Sequence, residues 1–189
     1  MRVTRLMSTL VLTAHGSRDP RSAANAEAVA DRLRRMRPGL DVRLAFLELN
    51  APNFVDVLAG LPDSRRAVVA PLLLASAYHA RLDIPEQIAR AGARGIRQAD
   101  VLGEDDRLVA VLRGRLAEIG VSPLDDDLGV MVVAIGSSNI AANARTAKVA
   151  SRLAAGTRWA CATTASRPGP RRRWPAPPTS CAVAARAGW

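Results

Sequence analysis

Both histidines of the chain, and one glutamate between them, lie at or just beyond the ends of apolar runs typical of β-strands. These residues are His15, Glu48 and His79. Two imidazoles and a carboxylate suit a divalent transition metal such as Co, Fe, Ni or Zn better than Ca or Mg. A lone histidine is more often a surface or capping residue, but here both histidines obey the same positional rule. The pattern therefore predicts a metal site whose imidazoles can also accept protons.

Groups that bind anions surround these candidate ligands. Arg18 and Arg81 each follow a histidine by a few residues, and Gly16 and Ser17 form a strand-to-helix turn. Arginine forks hold carboxylates or phosphates through paired charge-assisted hydrogen bonds, and backbone N–H groups at such a turn also bind anions. The alternative is ordinary solvated loop charge. Arginines beside metal ligands favour a polyanionic ligand that takes up a metal.

The elements that must position these residues follow from hydrophobic periodicity, which alternates between two and 3.6 residues. The predicted strands are 9–14, 42–46, 67–74 and 96–102. The predicted helices are 22–37, a short one capped by Asn53, one capped by Asp83, and 108–119. Strands and helices that alternate with short links predict an α/β fold, a parallel sheet flanked by helices. Because parallel strands end at one edge, the three candidate ligands should converge there.

A second strand–loop–helix unit repeats the first at an offset of 120 residues. Gly16 and Ser17 correspond to Gly136 and Ser137, whereas His15 corresponds to Ile135. The alternative is that any two such units of an alanine-rich chain look alike. We interpret the pattern as an internal repeat whose second copy has lost the histidine. The predicted domains are a first unit at 1–121, an incomplete second repeat at 128–156 and a tail at 157–189.

The tail is rich in arginine, proline and alanine, and we expect it to be disordered, without a strand longer than a few residues. The net charge of +10 lies largely in residues 129–189, which include the tail and hold nine basic residues and no acidic one. The basic run 171–173 beside Trp174 suits nucleic-acid binding through the tail. Residues 1–128, with 18 basic and 17 acidic residues, are nearly neutral, so we expect no nucleic-acid partner.

The composition also predicts a cytoplasmic protein. No apolar run reaches the roughly 18 residues that a membrane span needs, and we expect no membrane partner. The two cysteines, Cys161 and Cys181, cannot form a disulfide framework, which favours a reducing compartment.

Three motifs together resemble the sirohydrochlorin chelatases, class II chelatases of the cobaltochelatase and ferrochelatase type. They are LTAHGSRDP at 12–20, FLEL at 46–49, and PLLLAS at 71–76 leading to YHARLDIP at 78–85. The resemblance implies that His15 and His79 bind the incoming metal, joined by Glu48. It also implies insertion of Co²⁺ or Fe²⁺, with Ni²⁺ as a further option, into sirohydrochlorin on the way to cobalamin or sirohaem. The metal is a substrate, and no organic cofactor is implied.

The resemblance has further implications for the fold and the ligand. Such chelatases place two similar α/β units around one cleft, in a tandem chain or in a dimer of short chains. A homodimer is therefore one way for this chain to complete the cleft. Sirohydrochlorin is a polycarboxylate, which Arg18, Arg81 and the Gly16–Ser17 turn are suited to hold.

Two other functions compete with this one. A histidine phosphatase also has His-Gly after a strand, but it needs an arginine directly before the histidine, where this chain has Ala14. A non-catalytic carrier of divalent metal, or an inactive truncated chelatase, would use the same three ligands, and the sequence leaves that alternative open.

Overall fold

The computed structural model describes residues 9–62, 66–74, 76, 78–92, 95–136 and 139–166. Two compact units divide the chain, with the boundary between Gly103 and Glu104. The first unit contains, in chain order, β1 (Thr9–Ala14), α1 (Pro20–Met36), β2 (Asp41–Phe46), α2 (Phe54–Ala59), β3 (Ala67–Pro71), a π-helical turn (His79–Asp83), α3 (Ile84–Arg90) and β4 (Ile96–Gln98).

The four strands of the first unit form one parallel sheet in the order β2-β1-β3-β4. This confirms the predicted α/β class. In the register of the sheet, Ala14 at the end of β1 lies beside Phe46 of β2, and Thr13 lies beside Pro71 of β3. Three strands therefore end at the same edge, which brings the chain segments that follow them together.

Apolar side chains cover both faces of this sheet, as expected for a parallel sheet. Successive residues of β1 belong to different clusters, Val11 to one and Leu12 to the other. The first cluster includes Phe54 and Leu58 of α2 and Ile84 of α3, all with 0% exposure. The second includes Ala26 and Ala30 of α1. These helices hold the sheet, and thus its carboxyl edge, in place.

Two helix starts in the first unit differ from the predicted ones. The α1 helix begins at Pro20 rather than residue 22, because Asp19 is the N-cap and its side chain accepts a hydrogen bond from the Arg21 N–H. Asp83 makes no capping hydrogen bond, since the chain is already helical from His79 onward. The predicted cap at Asp83 is therefore wrong, and its carboxylate is available for other partners.

The second unit contains α4 (Asp106–Glu118), β5 (Gly129–Ala134), α5 (Ile140–Ala154) and β6 (Cys161–Ser166), with β5 and β6 paired in parallel. The predicted strand and helix of the repeat are thus confirmed. α4, which the sequence assigns to the first unit, clusters with the second. The Arg113 side chain of α4 donates hydrogen bonds to three carbonyl groups at the end of α5, those of Arg152, Leu153 and Ala155.

The offset of 120 residues extends further than the sequence suggested. The first residues of β5, α5 and β6 lie 120 positions after those of β1, α1 and β2. Asn139 caps α5 as Asp19 caps α1. The pair Gly129 and Cys161 in the β5–β6 register likewise matches Thr9 and Asp41 in the β1–β2 register. The repeat is therefore a complete strand–helix–strand unit.

The strand β6 corrects the expectation that residues after 157 hold no strand of useful length. Its residues are mostly alanine and threonine, so hydropathy alone did not mark it. Pairing with β5 and packing against α5 stabilise it instead, and the Thr164 hydroxyl donates to the Ala147 carbonyl group of α5. Residues 167–189, the remainder of the predicted disordered tail, lie outside the described residues.

The described residues also allow a check for membrane-spanning helices and show the state of one cysteine. Among the described residues, no helix is long and apolar enough to cross a membrane. Cys161, the first residue of β6, is disulfide-bonded, a bond that the sequence analysis did not expect.

Candidate metal centre

His15 directly follows β1 and presents one ring nitrogen to the edge of the sheet. Its Nδ1 lies 3.0 Å from the Gly16 carbonyl oxygen. A carbonyl oxygen only accepts hydrogen bonds, so Nδ1 carries the proton and donates it. In the neutral ring, Nε2 then has a free lone pair, which is the form of imidazole that binds metals.

His79 opens the π-helical turn after β3 and is oriented by a carboxylate. Its Nδ1 lies 3.0 Å from Asp83 Oδ2, so this nitrogen too is a donor. Gln87, only 8% exposed, donates from Nε2 to Asp83 Oδ1 over 2.7 Å. Partial burial raises the pKa of Asp83, but the hydrogen bonds from His79 and Gln87 together outweigh it and leave that pKa below its usual value.

The two Nε2 atoms lie 3.0 Å apart, and the two rings are nearly perpendicular, at 88°. Because both Nδ1 atoms are donors, the Nε2 lone pairs converge on one point. Metal–nitrogen bonds of roughly 2.0–2.1 Å place two ligand nitrogens roughly 3.0 Å apart at a ligand–metal–ligand angle of about 90°. The two imidazoles are thus spaced as neighbouring ligands of a single ion.

Glu48 completes the predicted ligand set. Within the part of the chain that the structure describes, His15, Glu48 and His79 form a cluster whose ligand atoms all lie within 4.8 Å of one another. Glu48 is exposed, and its N–H donates to the His15 carbonyl oxygen over 3.0 Å. This bond ties the loop after β2 to the loop after β1, so the two ligands are held by adjacent backbone segments.

Gly16 makes the close approach of these loops possible. Its φ of +98° lies in the left-handed region, and a Cβ added there would meet the Glu48 carbonyl oxygen at 1.8 Å. Only glycine tolerates both the dihedral angle and the contact. This structural role accounts for Gly16 independently of any bound anion.

The predicted anion-binding residues have different surroundings. Ser17 donates its N–H to Asn50 Oδ1 over 2.7 Å, and its hydroxyl accepts from the Asp19 N–H. The N–H group that the sequence analysis offered to an anion is therefore engaged. Arg18 and Arg81 are exposed, and among the described residues neither side chain makes a hydrogen bond or an ion pair. Both guanidinium groups are free to bind a ligand, and substrate binding by the four residues stays a prediction.

The sequence analysis missed three residues that support the site: Asn50, Asp83 and Gln87. Asp83 and Gln87 follow His79 at intervals of four residues, the spacing that places helical side chains on one face. That signal was present but unused, because the helix was expected to begin at Asp83 rather than at His79. Asn50 gave no comparable signal, since its contact with Ser17 depends on how two loops pack.

Exposed apolar side chains lie in the segments that follow β2 and β3, which also carry Glu48 and His79. They are Leu49, Leu74, Tyr78 and Leu82. The Tyr78 ring meets the His79 ring edge to face, with 5.7 Å between the ring centroids. Large exposed apolar residues close to a binding site are typical of surfaces that contact an apolar ligand face.

Fold and site together define a class: an α/β protein whose parallel sheet brings two histidines and a glutamate together at its carboxyl edge. The CbiX family model matches residues 9–119, a segment that contains all three candidate ligands. The chain belongs to the CbiX family of sirohydrochlorin chelatases, as its motifs predicted.

Relatives and solved structures agree with this family. The chain is 34% identical to the sirohydrochlorin ferrochelatase of Priestia megaterium over 143 residues, which are 70% of this chain and 52% of that protein. It is 30% identical to the sirohydrochlorin cobaltochelatase of Sulfurisphaera tokodaii over 80 residues, 41% of this chain and 67% of that protein. The sirohydrochlorin chelatase SirB from Bacillus subtilis, in complex with cobalt, matches with a TM-score of 0.64 and 26% identity.

The extent of these matches differs. The SirB match covers 78% of this chain and 62% of that chain. The chain thus spans about half the length of the Priestia megaterium protein and about two thirds of the shorter Sulfurisphaera tokodaii protein.

We expect Gly16→Ala to destabilise the protein by at least about 1–2 kcal/mol, the cost of a left-handed residue with a Cβ. The clash with the Glu48 carbonyl group should also separate the two loops and weaken Co²⁺ binding. Urea denaturation and a Co²⁺ titration measure the two effects. Gly39→Ala is the matched control, since a Cβ there meets nothing within 4 Å. Wild-type stability and affinity in the Gly16 variant would contradict this role.

We expect Glu48→Gln to weaken Co²⁺ binding, but less than loss of either imidazole, because the amide keeps an oxygen ligand and loses only its charge. The dissociation constant from a visible-absorbance titration measures the change. Glu86→Gln, which alters a carboxylate that is 61% exposed on α3, serves as the control. If the Glu48 and Glu86 variants bind Co²⁺ equally well, Glu48 is not a ligand.

Proposed function

We propose that this chain inserts Co²⁺ or Fe²⁺ into sirohydrochlorin, with the metal as substrate and no organic cofactor. The observation that carries the proposal is the pair of Nε2 atoms 3.0 Å apart, with the Glu48 carboxylate beside them. Ni²⁺ is an alternative metal, because imidazole and carboxylate ligands suit it as well. The relatives named as ferrochelatase and cobaltochelatase support iron and cobalt, on the way to sirohaem or cobalamin.

The chemistry of insertion matches what these side chains do. When a divalent metal enters the macrocycle, two pyrrole N–H protons must leave and the metal must exchange its protein ligands for ring nitrogens. His15, His79 and Glu48 hold the ion through one nitrogen or oxygen each. Each imidazole that releases the ion regains a lone pair. That lone pair can then accept a departing proton.

The surroundings of the centre suit a flat polycarboxylate. The guanidinium groups of Arg18 and Arg81 are exposed and can form paired hydrogen bonds with carboxylates. The exposed side chains of Leu49, Leu74, Tyr78 and Leu82 can pack against the apolar face of a macrocycle. This division into charged and apolar contacts supports sirohydrochlorin over a phosphate ester, since a phosphate ester offers no extended apolar face.

A metal-binding protein without chelatase activity is the second candidate. The same cluster of His15, Glu48 and His79 would bind the ion in such a protein. Both candidates bind Co²⁺, so only turnover separates them. The expected absence of nucleic-acid and membrane partners, and the cytoplasmic location, stay predictions.

We expect purified protein to accelerate Co²⁺ insertion into sirohydrochlorin under anaerobic conditions, followed by absorbance against an enzyme-free control. His15→Ala and His79→Ala should each return the rate to that of the control, because each removes one of two converging ligands. The fold should survive, since both side chains lie at the rim of the sheet rather than in the core. Glu86→Gln should keep wild-type turnover. Equal rates with and without wild-type protein would contradict chelatase activity and leave the metal-binding protein as the remaining candidate.

We also propose that the chain forms a homodimer. The outward residues of β5, Met131 and Val133, are 47% and 62% exposed, whereas their counterparts Val11 and Thr13 in β1 are fully buried. An exposed apolar strand face favours association with another chain.

Static light scattering should therefore give about twice the mass of one chain, and Val133→Asp should reduce it. The control is Val111→Asp on α4, which changes a residue that is 57% exposed. Aggregation of the wild-type chain would also indicate an uncovered apolar face. A stable wild-type monomer would contradict the proposal.

A further inference from the structure

We propose that Asp83 is the positioning residue of the metal centre: held by the buried Gln87, it fixes His79 in the tautomer and orientation that aim Nε2 at His15. This role rests on the proposed function for its biological purpose, but the contacts that carry it belong to the protein without metal.

Both carboxylate oxygens of Asp83 accept hydrogen bonds from neighbouring side chains. Oδ2 accepts from His79 Nδ1 over 3.0 Å, and Oδ1 accepts from Gln87 Nε2 over 2.7 Å. Asp83 makes no capping bond to the backbone, although it stands where such a bond is expected. Its side chain is 20% exposed, and that of His79 is 32% exposed. Reduced solvent access strengthens these hydrogen bonds relative to those of a surface pair.

The tautomer of His79 decides whether the site can bind a cation at all. If the neutral ring of His79 carried its proton on Nε2, that proton would point at His15 Nε2, 3.0 Å away. Nε2 of His79 would then have no lone pair with which to bind a metal. The carboxylate of Asp83 favours the proton on Nδ1 and leaves Nε2 as the ligand. Metal-binding histidines commonly depend on an acceptor of this kind, whose loss lowers metal affinity.

Both histidines carry their proton on Nδ1, but different acceptors hold it there. His15 donates to the carbonyl group of the adjacent Gly16, so its orientation depends on the local backbone. His79 depends on side chains four and eight residues further along the helical segment. A substitution at Asp83 should therefore alter His79 and leave the tautomer of His15 unchanged. If Asp83 only stabilised the helix, its substitution would not be expected to alter the tautomer of His79 selectively.

The chain has only two histidines, which makes this selectivity directly measurable. Long-range ¹H–¹⁵N NMR spectra of the metal-free, histidine-labelled full chain distinguish Nδ1–H from Nε2–H for each ring, and His15→Ala assigns the signals. In Asp83→Ala we expect His79 to shift toward the Nε2–H form while His15 keeps its wild-type signals. Asp83→Asn should retain the Nδ1–H form, because the amide oxygen still accepts and Gln87 can turn its own amide to match.

Titration with Co²⁺ alone provides the second measurement. Loss of the supporting acceptor in Asp83→Ala should raise the dissociation constant by about 10–100-fold. Asp83→Asn should raise it by a smaller factor, since it keeps the hydrogen bond and loses the charge. Glu86→Gln, on the same helix and 61% exposed, should leave both the spectrum and the affinity unchanged.

The outcomes separate this proposal from the proposed function. A wild-type His79 tautomer and wild-type Co²⁺ affinity in Asp83→Ala would overturn the positioning role, whatever the turnover of the wild-type chain. If Asp83→Ala does not fold, unchanged Co²⁺ affinity in Asp83→Asn overturns it instead. A shifted tautomer with weakened binding supports it, even if the wild-type chain inserts no metal into sirohydrochlorin.

Discussion

The convergence of two imidazole nitrogens is the constraint on which the rest of the first unit depends. His15 and His79 are 64 positions apart in the chain, yet their Nε2 atoms lie 3.0 Å apart. A parallel sheet meets this constraint because its strands end at one edge. β1 and β3 are direct neighbours, so the residues that follow them start from adjacent positions.

Two lone pairs aimed at one point repel each other unless a proton or a metal ion lies between them. The surrounding contacts hold the rings in this arrangement. Gly16 and the Glu48 backbone fix the loop after β1, while Asp83 and Gln87 fix the ring of His79. The arrangement is therefore prepared for a cation by groups that do not bind the cation themselves.

The second unit has the same strand–helix–strand architecture but no histidine at the position of His15. β5, α5 and β6 repeat β1, α1 and β2 at a constant offset, with a glycine of positive φ after the strand in both units. At the position of His15 stands Ile135, which is 89% exposed. The second copy thus keeps the strand–helix–strand architecture without the histidine, so the fold of this unit does not require that residue.

The sequence by itself determined the α/β class, the strand β1, the internal repeat and the three residues that cluster at the sheet edge, His15, Glu48 and His79. Periodicity and position in the chain carry that information, because each depends on residues close together in sequence. Tertiary structure decided the helical start at His79, the pairing that makes a strand of the alanine- and threonine-rich β6, and the supporting contacts of Asn50, Asp83 and Gln87. These features depend on contacts between distant segments or on the way one turn of helix joins the next. Such contacts form only when the sheet brings the segments together, so local patterns do not contain them.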